Sequence, residues 1–255
     1  METPSSEVIR AENLVKRFGV ITALRDVTIR LQKGEVLGLL GDNGAGKSTL
    51  IKILTGFLQP DSGNIFVNGQ LVRPRSVAQA RALGIETVYQ DLALINQLSV
   101  YHNMFLKRES IYQPFPFLNN RKMREEAREH LAKMGVSIPS VDVEVAKLSG
   151  GQRQAIAIAR AVYSQAKILL LDEPLAAMGA KEAVLILELI RNLREIGEVS
   201  IIMIAHNYAQ VLEICDRVNL LQHGVIALDK RVADTSLEEL NELVMREYRI
   251  GNTPP

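Results

Sequence analysis

The chain has 255 residues, 47% hydrophobic and 23% charged, the profile of a folded globular protein and not of a disordered one. With 30 basic and 29 acidic residues its formal net charge is +1, so bulk charge gives no argument for nucleic acid or an anionic membrane surface as partner. No apolar run approaches the ~20 residues that span a bilayer, so any membrane role must run through a partner. Cys215 is the single cysteine, which excludes an internal disulfide. With no signal peptide recognisable in residues 1–10, a reducing cytosolic compartment is expected.

In chain order, Val27, Ile29 and Leu31 alternate with Thr28 and Arg30, as on a half-buried strand. Lys33-Gly34 turns the chain into 36–40, an apolar run suited to a central strand. Asn68-Gly69, between 65–67 and 71–72, is a two-residue hairpin signal. A polar, helical middle section follows. Residues 110–120, with Tyr112, Pro114, Phe115, Pro116 and Phe117, break helix; 121–134 carries a stripe of Met123, Ala127, Leu131 and Met134, and Gly135 sits where that helix stops. Next come a helix over 152–162, a strand over 167–171, a helix over 181–196, a strand over 200–205 and a short helix over 208–215. A β-pair, 217–222 and 225–228, turns at His223-Gly224. Ser236-Leu237-Glu238-Glu239 is a capping box opening a last helix, with Leu237, Leu240 and Val244 on one face, before a loose tail. Strand–helix alternation predicts an α/β fold with a mostly parallel sheet.

Three segments carry chemistry. Gly41-Asp42-Asn43-Gly44-Ala45-Gly46-Lys47-Ser48 follows a strand and precedes a helix beginning at Thr49, the context a P-loop needs. Its glycines let the backbone wrap a polyphosphate, with N–H groups and the helix N-terminus aimed at phosphate oxygens. Lys47 would neutralise the β- and γ-phosphates, and the Ser48 hydroxyl would ligate Mg²⁺. Ile168-Leu169-Leu170-Leu171-Asp172-Glu173-Pro174 is an apolar strand ending in two carboxylates. Beside a P-loop, Asp172 would hold Mg²⁺ and Glu173 would deprotonate an attacking water; alone, the segment also reads as a strand end and a polar turn. Leu148-Ser149-Gly150-Gly151-Gln152 opens a helix with Ser149 as N-cap and two glycines that let a ligand approach. Its local physics equally fits a capped helix with a loose start.

Together these motifs, in this order and spacing and over nearly the whole chain, resemble the ATP-binding cassette ATPases, of which L-S-G-G-Q is the diagnostic signature. The resemblance implies the cassette fold: one domain over 1–250, made of a P-loop α/β core with an N-terminal antiparallel β-subdomain (8–90 and 163–250), an inserted helical signature subdomain (about 91–162) and a tail at 251–255. It also implies further site residues. Phe18 looks like the aromatic that stacks on adenine, Gln90 like the glutamine that contacts Mg²⁺, and His206 like the histidine that contacts the γ-phosphate. Taken singly, these three read as a core aromatic, a loop amide and a satisfied strand-end histidine. His102, His130 and His223 match nothing. The ATP contacts implied are thus Phe18, the loop Gly41, Asp42, Asn43, Gly44, Ala45, Gly46, Lys47, Ser48 and Thr49, and the signature Ser149, Gly150, Gly151 and Gln152. Mg²⁺ falls to Ser48, Gln90 and Asp172, and catalysis to Glu173, His206, Gln90 and Lys47.

One departure stands out. After Glu173-Pro174 most of the family has Ser-Ala-Leu-Asp, whose aspartate meets the partner subunit; here Leu175-Ala176-Ala177-Met178-Gly179 places Gly179 there. That glycine, and Val88-Tyr89-Gln90-Asp91 with Leu92-Ala93-Leu94, resemble the subgroup serving monosaccharide importers. The resemblance implies a dimer, most simply a homodimer, on the cytoplasmic face of the membrane. It implies a separate integral membrane permease fed by a solute-binding protein, and no nucleic acid. It places the permease docking surface between Gln90 and about Leu106, with an exposed apolar groove expected from some of Leu92, Leu94, Ile95 and Leu98, which read alternatively as packing for the insert's own core. Two other readings compete, a soluble cassette ATPase acting on DNA or ribosomes and a nucleotide-binding regulator that does not hydrolyse.

Overall fold

The computed structural model describes residues 7–176 and 178–251. Strands β1 (Glu7–Phe18) and β2 (Ile21–Gln32) pair antiparallel. On β2 the two-residue period works as expected: Val27, Ile29 and Leu31 are buried and Arg30 is exposed. Strand β3 (Val36–Leu40) then runs into the core and delivers the chain to helix α1 (Lys47–Leu54). Strands β4 (Ser62–Val67) and β5 (Gln70–Val72) form the hairpin predicted at Asn68-Gly69. Both turn residues have positive φ, 49° and 77°, which gives the turn the twist of its strands.

A short helix α2 (Val77–Ala82) and strand β6 (Ile85–Val88) follow, then α3 (Val100–Phe105), the strands β7 (Ile111–Tyr112) and β8 (Phe117–Leu118), and α4 (Asn120–Lys133). Met123, Ala127, Leu131 and Met134 are all buried, one apolar stripe facing inward, and Gly135 ends the helix with φ 72°. The chain closes through α5 (Gly150–Tyr163), β9 (Ile168–Asp172), α6 (Ala180–Ile196), β10 (Ser200–Ile204), α7 (Tyr208–Ile214), β11 (Arg217–Gln222), β12 (Val225–Arg231) and α8 (Leu237–Gly251).

Two larger sheets result: a four-stranded antiparallel one, β2-β1-β4-β5, and a six-stranded one, β12-β11-β3-β10-β9-β6, parallel except for β12. The central strands of the second are buried on both faces and alternate between two cores. Val36, Leu40, Leu169, Leu171, Ile201 and Met203 join the helices on one side. Leu37, Leu39, Ile168, Leu170, Ile202 and Ile204 join α1 and the antiparallel sheet on the other. A strand that must bury both faces is apolar throughout, which is why these segments read as continuous hydrophobic runs. Burying each such leucine or isoleucine contributes about 1.5–3 kcal/mol.

Some local expectations shift. Residues 110–120 do more than break helix. Ile111↔Leu118 and Tyr112↔Phe117 pair as a small exposed hairpin, and Asn119 then caps α4. On α8, Leu240 is buried and Leu243 and Val244 pack beside it, while Leu237 is 37% exposed. The capping box there is half made: Ser236 Oγ accepts the Glu239 N–H, but the Glu239 carboxylate takes Lys230 and Thr235 instead. Ala177 and the tail beyond Gly251 lie outside the described residues. Among the described residues, no helix is long and apolar enough to cross a membrane.

Candidate functional site

Parallel strands deliver their functional residues at one edge of the sheet. The register pairs Val88 with Leu171, Asp172 with Ile204, and Leu39 with Ile204. Gln90, Glu173 and His206 therefore follow the carboxyl ends of β6, β9 and β10, beside the loop that follows β3. Ligands of open α/β sheets bind at this edge.

The loop 41–48 curls under the antiparallel sheet. At Gly46, φ is 113° and a Cβ would stand 2.6 Å from the Ala23 carbonyl oxygen, so only glycine lets the loop pass there. The loop is held by the Ala45 N–H donating to Asp42 O (3.1 Å) and by the Gly224 N–H donating to Ala45 O (3.0 Å). Asp42, Asn43, Gly44 and Ser48 are exposed. Lys47 turns back over the loop, its ammonium donating to Gly41 O (2.7 Å) and Asp42 O (2.9 Å). Burial pushes the Lys47 pKa down, while Glu173, Asp42 and Asp172 pull it up. The first N–H groups of α1 lack intrahelical acceptors, so loop, lysine and helix N-terminus make one anion cradle.

Two carboxylates face that cradle. Asp172 is half-buried; burial and the neighbouring Glu173 charge raise its pKa, against Lys47, Lys52 and His206. Glu173 has φ 51°, unusual for a residue with a Cβ, and its N–H donates to Ile204 O (3.1 Å). Its Oε1 lies 2.6 Å from His206 Nε2. The structure thus brings Lys47, Asp172, Glu173 and His206 into one cluster.

The segment 149–152 is elsewhere. Ser149 Oγ accepts the Gln152 N–H (3.3 Å) and Gln152 Oε1 accepts the Ser149 N–H (3.2 Å), a complete capping box. The helix therefore starts at Gly150, two residues before the predicted start. Gly151 could not carry a side chain, because a Cβ would meet Glu182 Cβ at 2.9 Å. Among the described residues no hydrogen bond or ion pair joins 149–152 to the loop 41–48 or to Glu173. Gly150 instead shares a groove of about 340 Å³ with Gln90, Leu92, Leu94, Gln154 and Glu182. That groove mixes polar and apolar walls; Leu92 and Leu94 line it, whereas Ile95 and Leu98 do not. Ile95 is 40% exposed and its backbone is held by the buried amide of Asn103. Phe18 is 46% exposed at the end of β1, opposite Ile21, with the Lys16 ammonium 5.6 Å from its ring centre.

Three residues outside the sequence expectations organise this region. Arg160 of α5 donates to Leu92 O and Ala93 O, both at 2.9 Å, tying the loop after Gln90 to the signature helix. Asn103 braces 95–99. Glu182 bridges the starts of α5 and α6. No local sequence pattern marks contacts that span such separations. A wider concavity, about 1140 Å³, lies at the opposite edge of the sheet. Its main charges are already paired, Arg217 with Glu35 (2.8 Å) and Asp229 (2.6 Å).

A glycine-rich loop between a buried parallel strand and a helix, faced by paired carboxylates from the next strand but one in the same sheet, defines a P-loop nucleotide-binding protein. The ABC transporter family model matches residues 24–176, from within β2 to just past Glu173, and the chain belongs to that family of ATP-binding, ATP-hydrolysing cassettes. It is similar to the xylose/arabinose import ATP-binding protein of Sulfolobus acidocaldarius, 46% identical over 246 residues and 96% of each chain. It is 43% identical to the fructose import ATP-binding protein of Rhizobium meliloti, over 85% of each. The ribose import ATP-binding protein of Chromobacterium violaceum is 37% identical over 97% of this chain, which spans only 48% of that one. Among solved structures, the ADP conformation of an ATP-binding cassette of an ABC transporter superposes with a TM-score of 0.79 at 28% identity, over 96% of this chain and 99% of that one.

Proposed function

We propose that this chain is the ATPase subunit of an importer that takes up a sugar, specifically a monosaccharide, and that it works as a dimer on the cytoplasmic face of the membrane beside a separate permease and a solute-binding protein. The observation that carries the ATPase chemistry is the convergence of Lys47, Asp172, Glu173 and His206 at one sheet edge. The sugar rests on the xylose/arabinose and fructose import relatives, which match 96% and 85% of this chain.

In this reading the backbone of 41–49 and the Lys47 ammonium hold the phosphates, and Phe18 stacks on the adenine. Ser48, Asp172 and Gln90 hold Mg²⁺. The donor set fits such an ion, since the half-buried Asp172 carboxylate lies against the Glu173 charge and a cation there relieves both. Bound there, Mg²⁺ would supply positive charge against the phosphate oxygens. Glu173 takes the proton of the attacking water, and His206, bonded to it, orients the carboxylate and meets the γ-phosphate.

Ser149, Gly150, Gly151 and Gln152 stand away from the loop of their own subunit, so they serve the nucleotide of a second one. Two such chains around a two-fold axis make two complete sites. Domain boundaries follow the same reading: core at 8–90 and 163–250, helical subdomain at about 91–162. The permease docks near Gln90, Leu92 and Leu94. The Gln154 side chain borders that groove, and its buried Nε2 has no partner among the described residues.

The test is purification with a permease and binding protein, followed by ATPase assays with and without candidate monosaccharides. Stimulation by a monosaccharide supports the reading, and stimulation by an amino acid or metal ion removes the sugar. If no permease co-purifies and no solute stimulates hydrolysis, the importer gives way to a soluble cassette ATPase. Leu94→Glu should spare ATPase in the isolated subunit and abolish transport in vesicles.

A further inference from the structure

Where the family commonly has an aspartate before α6, this chain has Gly179, the N-cap of that helix, with nothing to offer as a side-chain cap. Glu182, three residues on, reaches back instead, its Oε2 accepting the Gly179 N–H (3.4 Å). The same carboxylate does a second thing. Its Oε1 accepts the Gly151 N–H of α5 at 3.4 Å, and the neighbouring Ser149 side chain also favours its charged form. One anion is therefore shared by the N-termini of two helices. The close packing is specific, because a Cβ at position 151 would stand 2.9 Å from Glu182 Cβ. The donors from Gly151, Ser149 and Gly179 hold the Glu182 pKa below the usual carboxylate value.

The Ser149 hydroxyl and the Gly151 N–H are also the donors that the dimer reading assigns to the γ-phosphate held by the other subunit. Two anions cannot both be seated on them without strong repulsion. We propose that Glu182 is a latch, a carboxylate that holds the signature donors in the separate subunit and has to be displaced by the γ-phosphate when the dimer closes. This inference rests on the dimer reading above. The latch resists closure until a nucleotide with a γ-phosphate arrives, since ADP brings no competing anion to that position. When displaced, Glu182 retains the Gly179 N–H, so release couples the start of α6, next to the catalytic Glu173, to occupancy of the signature. Glu182 is a positioning residue, acting on donors and not on the reacting atoms.

The test compares Glu173→Gln with Glu173→Gln/Glu182→Gln, titrating Mg-ATP and reading the dimer fraction by sedimentation velocity. The glutamine keeps the size and an acceptor oxygen but removes the charge. The half-dimerising ATP concentration should fall by about tenfold or more, the scale of removing a like charge beside a bound anion. An unchanged or higher concentration overturns the latch and leaves Glu182 as a brace between two helices. Absence of any ATP-dependent dimer in Glu173→Gln itself sinks the dimer reading, a distinct result. If the glutamine variant does not fold, Glu182→Asp, one methylene shorter and unable to reach Gly151, is judged by the same criterion.

Discussion

His206 Nε2 lies 2.6 Å from Glu173 Oε1, a contact between residues 33 apart in sequence that are brought together by the pairing of β9 with β10. The histidine fixes the direction of a carboxylate whose own backbone sits at φ 51°. Positive φ at a residue with a Cβ costs about 1–3 kcal/mol and persists where surrounding structure enforces it, here through the Glu173 N–H to Ile204 O bond. Glu173→Gln should bind ATP with near-normal affinity and lose steady-state hydrolysis, because the amide keeps the shape but accepts no proton. Phosphate-release assays check this; turnover within a few-fold of the parent protein would exclude Glu173 as the base.

Lys47 lies within hydrogen-bonding distance of two loop carbonyls. Lys47→Ala should weaken nucleotide binding and erase the rise in melting temperature given by Mg-ATP. Ligand at ~100 times its dissociation constant adds about 2.7 kcal/mol to the parent protein. A melting shift preserved in the variant would remove the loop from nucleotide binding.

Phe18 keeps nearly half its surface open, as a stacking platform requires. Phe18→Ala should cost roughly 1–3 kcal/mol of adenine affinity, by analogy with base–aromatic stacking, and reduce discrimination between purine and pyrimidine nucleotides. Calorimetric titration with ATP and CTP gives the answer, and equal affinities in the two proteins would take Phe18 out of the site.

His130 lies outside the active cluster and sets a pH dependence of stability. Its Nε2 is 2.9 Å from Ala159 O and its ring meets Tyr163 edge-on at 5.3 Å. Burial lowers its pKa below the ordinary 6.5, Lys133 adds to the lowering, and the Ala159 carbonyl opposes it. The folded protein therefore keeps the imidazole neutral where the unfolded chain takes up a proton. This contribution is fully present above about pH 6.5 and is lost as pH falls towards the lower folded pKa. Urea midpoints should drop between about pH 7 and pH 5, and His130→Gln, which can still donate to Ala159 O, should flatten that drop. An identical slope in the variant would assign it to other groups.

Much of this protein is determined locally. The period of Val27, Ile29 and Leu31, the Asn68-Gly69 turn and the stripe from Met123 to Met134 each depend on residues within one element, so their spacing alone predicts strand, hairpin and helix. The loop 41–48, the strand ending at Asp172 and the capped start of α5 were legible for the same reason. Tertiary structure decided the rest. Nothing near Glu173 in sequence specifies His206 as its partner, and nothing near Gly151 specifies Glu182; strand pairing and the packing of α5 on α6 bring each pair together. The Leu92–Leu98 segment shows the limit most clearly. An apolar spacing cannot tell a groove from a core, and only the arrangement of Arg160 and Asn103 around it puts Leu92 and Leu94 on the groove wall and leaves Ile95 outside. Propensity and pattern act over a few residues, whereas burial is settled by whichever distant element arrives to cover a surface.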